Sequence, residues 1–130
     1  MRRVSKKTAG RIAECADLRK QLVRDVGHCE MCGHDPKRTP PMSVALALHV
    51  HEIARGQHRQ KALDKRFALL VVCYRCHMER LDSRAEWPES RQLAALKRSR
   101  PREYDLEEFL RLKNPNAMKA ITEDEVDAWL

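Results

Sequence analysis

The chain has 130 residues, 26 Lys/Arg against 19 Asp/Glu, a formal charge of +7, and 5% aromatic against 35% charged residues. That length fits a single domain, and so lean an apolar supply makes a structural metal the natural substitute for missing hydrophobic contacts. No apolar run approaches the ~20 residues of a bilayer span, and the basic start lacks a secretory apolar stretch, so a cytoplasmic location without a membrane partner is expected. In that reducing compartment the five cysteines read as metal ligands or core residues rather than disulfides.

Residues 8–26 space Ile12, Cys15, Leu18, Leu22 and Val26 three and four apart, with Gly27 just beyond. This predicts one amphipathic helix closed by a left-handed cap, with Cys15 as a small core residue. The helix delivers the chain into Cys29-Glu30-Met31-Cys32-Gly33, whose glycine suits a tight turn with backbone amides facing the sulfurs. His28 and His34 flank this turn as outer or exposed neighbours.

Beyond Pro40-Pro41, Leu46, Leu48 and Val50 alternate with Ala47, His49 and His51, which predicts a strand over Ser43 to Ile53. A basic loop follows, containing Arg55, His58, Arg59, Lys61, Lys65 and Arg66, and Phe67 to Val72 then reads as a second strand. Cys73 and Cys76 form a second paired turn that runs into His77 and a short helix. Pro88 at a first helical position begins another helix, ended by Arg98 to Pro101. Asp105 with Glu108, and Thr122 with Glu125, match capping boxes for two more helices.

Two CxxC pairs, Cys29/Cys32 and Cys73/Cys76, supply the four soft ligands of one tetrahedral zinc, with a folded unit between them. Positive charge surrounds this motif: residues 1–102 carry 23 Lys/Arg against 11 Asp/Glu, a net of +12, while residues 103–130 carry 3 against 8, a net of −5. A positive field around a metal site favours a polyanionic partner.

The order Cys29xxCys32, strand Leu48-His49-Val50-His51-Glu52-Ile53, apolar strand Leu69-Leu70-Val71-Val72, and Cys73xxCys76-His77 resembles the HNH endonucleases over about residues 28–82. The resemblance implies a two-strand-plus-helix metal finger and metal-dependent hydrolysis of phosphodiester bonds in double-stranded DNA. A magnesium or manganese ion and a general base would serve the reaction. Two registers are open. In one, His51 and His77 hold the ion and Glu52 stands at the base position; in the other, His49 is the base and Leu48 replaces a metal-binding acid. Where the family carries a loop-fixing asparagine, this chain has Ala68.

The sequence thus predicts a small α+β protein. An HNH-like nuclease domain would cover residues 1–100, with its finger at about 28–82, and residues 101–130 would form an acidic helical extension offering a surface for a protein partner. Arg55, His58, Arg59, Lys61, Lys65 and Arg66 would track phosphates with weak sequence specificity, since no aromatic stacking platform accompanies them. The alternatives are a zinc-dependent DNA-binding protein without catalysis, and an adaptor that uses zinc for rigidity.

Overall fold

A computed structural model of the chain describes residues 6–36, 48–54, 59–81, 86–113 and 121–130. The N-terminal periodicity yields two helices instead of one, α1 (Lys6–Glu14) and α2 (Ala16–Val26). They break at Cys15, whose φ of −94° and ψ of 6° lie outside the helical well while its thiol stays buried. The Cys15 carbonyl still accepts from the Arg19 N–H at 3.1 Å, so the first turn of α2 survives the break. Gly27 ends α2 at φ 71°, donating its N–H to the Val23 carbonyl at 2.8 Å, the left-handed cap expected there.

Strands β1 (Leu48–Glu52) and β2 (Leu69–Cys73) pair antiparallel, with Leu48 opposite Cys73, His49 opposite Val72 and His51 opposite Leu70. The start of the expected first strand, residues 43–47, lies outside the described residues. The second strand begins later than expected because Arg66–Ala68 form a 3-10 turn. The Ile53 N–H donates to the Ala68 carbonyl at 3.0 Å and prolongs the pairing into that turn. Every residue of β2 is buried, as its unbroken apolar run requires.

The edge of β2 away from β1 is covered without a third strand. The Glu30 N–H donates to the Val71 carbonyl at 2.8 Å, the Val71 N–H donates to the Glu30 carboxylate at 2.8 Å, and Arg100 donates to the Leu69 carbonyl. Edge groups that would template another chain are satisfied by the first cysteine turn and a distant arginine.

A short α3 (Arg59–Ala62) precedes the 3-10 turn; α4 (Glu89–Ser99), α5 (Leu106–Lys113) and α6 (Glu123–Asp127) complete the described elements. Pro88 occupies the N-cap of α4, one position before the expected helical place. Asp105 accepts from the Glu108 N–H at 3.1 Å and Thr122 from the Glu125 N–H at 3.2 Å, so both capping signals hold. Leu106, Phe109 and Val126 belong to one apolar core with Leu22, Leu70 and Leu93, so the acidic C-terminal segment packs on the metal finger. The architecture is the small α+β one expected: a two-stranded sheet, helices on both sides in sequence, and four clustered cysteines. Among the described residues no helix is long and apolar enough to cross a membrane.

A candidate metal centre and an imidazole cluster

The turn after α2 supplies Cys29 and Cys32, the end of β2 supplies Cys73, and Cys76 opens a π-helical turn (Cys76–Arg80). All four sulfurs lie within 4.8 Å of one another, with Cys32 Sγ and Cys73 Sγ 3.8 Å apart. Sulfurs at the corners of a tetrahedron with zinc bonds of ~2.3 Å are separated by ~3.8 Å, so spacing and donor chemistry both fit that ion. Among the described residues no other group of three or more Cys, His, Asp or Glu is as compact.

The first turn is built for thiolates. Gly33 adopts φ 79° and donates to the Cys29 carbonyl at 2.9 Å, while the Cys32 N–H points at Cys29 Sγ at 3.5 Å. On the far side Arg80 Nη1 lies 3.2 Å from Cys76 Sγ, a cation placed to offset the charge of a tetrathiolate centre. Burial raises the Cys29 and Cys76 thiols above their ordinary value, and the negative charge of Cys29 adds to the rise at Cys76. At Cys32 burial pushes the same way, but hydrogen bonds from the His34 backbone and the other sulfurs outweigh it and lower the thiol. Metal uptake must therefore release protons. His28 donates from Nδ1 to the Val26 carbonyl at 2.9 Å, and His34 is exposed; neither belongs to the sulfur cluster.

The second cluster is aromatic. His49 and His51 share one face of β1 by strand alternation, and His77 follows Cys76 in the π-helical turn. The His77 ring lies 5.6 Å from that of His49, nearly stacked at 29°, and 5.7 Å from that of His51 at 64°. Consecutive residues on a helical turn point in different directions. One turn therefore sends Cys76 to the sulfurs and His77 to the imidazoles. Tyr74, 64% exposed, brings its ring to 6.1 Å from His49 at the rim.

Behind His51 stands a polar side chain with no access to solvent. His51 Nε2 is 3.0 Å from Gln92 Oε1, Gln92 Nε2 donates to the Trp87 carbonyl at 2.9 Å, and Gln92 is 0% exposed.

Glu52 does not join this face. Alternation carries it to the opposite side of β1, where its carboxylate accepts from Arg19 of α2 at 3.3 Å, and the same guanidinium group donates to the Val50 carbonyl at 3.2 Å. Strand parity thus separates Glu52 from the face that carries His49 and His51. Ala68, where the resemblance expects an asparagine, is buried; its N–H donates to the Lys65 carbonyl at 2.9 Å, its carbonyl accepts from Ile53 at 3.0 Å, and its methyl group can restrain no loop.

Of the expected phosphate contacts, Lys61 and Lys65 are exposed, while Arg55 and His58 lie outside the described residues. Arg59 opens α3. Arg66 has acidic partners within the chain. Its guanidinium group donates to both Glu103 oxygens at 2.7 Å and to Asp25 at 2.9 Å, at a partly exposed position. On the acidic C-terminal segment, Asp127 and Glu123 accept from Lys97 at 2.6 Å and 3.2 Å.

Sequence reasoning missed Gln92, Glu30 and Arg100. Gln92 carried a signal, a polar residue opening the apolar run Leu93-Ala94-Ala95-Leu96. Glu30 and Arg100 carried none, because both look like ordinary surface charges.

Comparison with known proteins finds no matching family model, no similar curated protein and no similar solved structure.

Proposed function

We propose that the chain is a metal-dependent DNA endonuclease of the HNH type, hydrolysing phosphodiester bonds with weak sequence preference. The observation that carries this reading is the position of His77, whose ring borders both His49 and His51 beside the four-sulfur cluster. Structural side chains at a zinc staple have no need of three neighbouring imidazoles. Groups that titrate near neutrality are what proton transfer at a phosphate requires.

Cys29, Cys32, Cys73 and Cys76 would hold a structural zinc, and His51 with His77 would hold a divalent ion whose charge offsets that on the phosphate and leaving oxygens. Nitrogen donors suit manganese better than magnesium, so manganese is the better of the two expected activators. His49, stacked on His77, takes the proton of the attacking water. Exposed Lys61 and Lys65 sit on the basic segment between the strands and contribute phosphate contacts.

Zinc-loaded protein incubated with supercoiled plasmid tests the reading. Open-circular product with manganese, slower with magnesium and absent for His77→Ala at unchanged zinc content, is the expected result. Binding that falls steeply with salt but never nicks would support the second reading, a non-catalytic zinc-dependent DNA-binding protein. That alternative is favoured by Ala68 standing where a loop-fixing asparagine is expected.

A further inference from the structure

We propose that Gln92 is the positioning residue of the imidazole cluster, fixing His51 as the tautomer that carries its proton on Nε2. The inference rests on the proposed role of His51 as a residue that would hold the ion, and it names the group that prepares it.

The proton assignment follows from a chain of obligatory roles. The Trp87 carbonyl can only accept, so the group 2.9 Å from it must be the Gln92 amide NH2. The other end of the amide is then its oxygen, which also can only accept, and it faces His51 Nε2 at 3.0 Å. His51 must donate through Nε2. In the neutral ring this leaves the lone pair on Nδ1, so Nδ1 is the nitrogen that can bind a cation.

Gln92 is 0% exposed, so water cannot substitute for either bond, and a flipped amide would set two donors against the His51 proton or two acceptors against each other. Its place on α4, one residue before the buried Leu93, fixes the amide by core packing. A buried amide committed at both ends is costly where only apolar packing is needed. It is what orienting a ligand ring requires.

Nitrogen-15 spectroscopy of the imidazoles in the full zinc-loaded chain at alkaline pH, without other metal, tests this directly. His51 should show a protonated Nε2 and an unprotonated Nδ1. Gln92→Met should turn that single form into a mixture of both tautomers and weaken manganese binding by about 10–100-fold. Gln92→Glu, which keeps an acceptor at the same place, should retain the Nε2 proton. A wild-type ring protonated on Nδ1, or a folded Gln92→Met chain with His51 signals unchanged, overturns the inference. The wild-type spectrum decides the tautomer even if Gln92→Met does not fold. Absence of plasmid nicking alongside the expected tautomer and its loss in Gln92→Met would remove the nuclease reading while upholding this one.

Discussion

Arg100 holds both carboxylate oxygens of Glu30, through Nε at 2.8 Å and Nη2 at 3.0 Å, although 70 positions separate the two residues. Glu30 sits between Cys29 and Cys32 and also accepts from the Val71 N–H, so this pair ties the first cysteine turn to β2 and to the end of α4. Both side chains are buried, and Arg100 further donates to the Arg66 carbonyl and to Glu103. Removing one partner strands the other. Arg100→Met should cost about 3–5 kcal/mol, and adding Glu30→Leu to it should cost less than the sum of the two single changes. Urea unfolding of zinc-loaded protein measures both quantities; additive single effects would contradict the coupling.

Acid should also weaken the neighbouring pair. Hydrogen bonding from Arg66 holds the Glu103 carboxyl below its ordinary value of 4.5, against the opposing effect of burial and with help from Arg100. A folded-state value below the unfolded one means stability that is complete above pH 4.5 and is lost as pH falls through the lowered value. Thermal unfolding between about pH 5 and pH 3 should therefore show a shallower decline for Glu103→Gln than for the parent chain. An identical decline would place the acid sensitivity elsewhere.

The proposed function gives Glu52 a structural role and His49 a chemical one on the same strand. Glu52→Gln weakens a charged hydrogen bond to Arg19 and should lower stability by about 1.5–3 kcal/mol while leaving the rate of plasmid nicking, measured well below the melting temperature, within a few-fold. His49→Ala should do the reverse, abolishing nicking with little change in melting temperature. Loss of nicking in a fully folded Glu52→Gln protein would restore Glu52 as the base.

Arg66 and Lys61 divide in the same way. Arg66, bound to Glu103 and Asp25, should give on substitution by alanine a less stable protein whose DNA affinity keeps its salt dependence. Exposed Lys61→Ala should leave stability alone and reduce the slope of log affinity against log salt by about 1. The two slopes, from binding titrations over a salt series, decide the matter.

Much of the fold was legible because its signals are local. The Gly27 cap, the Thr122 and Asp105 caps, the alternation around His49 and the paired cysteines each depend on neighbours within a few residues. The break at Cys15 was not legible, since the apolar spacing runs through it unchanged. Parity could have excluded Glu52 from the histidine face, because alternation alone separates residues 51 and 52. Arg66 and Arg100 depend on partners 37 and 70 positions away, and a chain of 26 basic residues gives no sign that these two find acidic partners within the chain. The imidazole cluster lies between these cases: His77 was marked by its place after Cys76, but its contact with His49 and His51 exists only once β2 is paired and the sulfurs are gathered.

The proposed function assigns sulfur to structure and imidazole to chemistry, and manganese bound to zinc-replete protein tests the two centres together. Electron paramagnetic resonance with nitrogen hyperfine detection should reveal one manganese per chain coupled to imidazole nitrogen, lost in His77→Ala while one zinc per chain remains. Manganese without nitrogen coupling, or zinc lost together with manganese in His77→Ala, would contradict it.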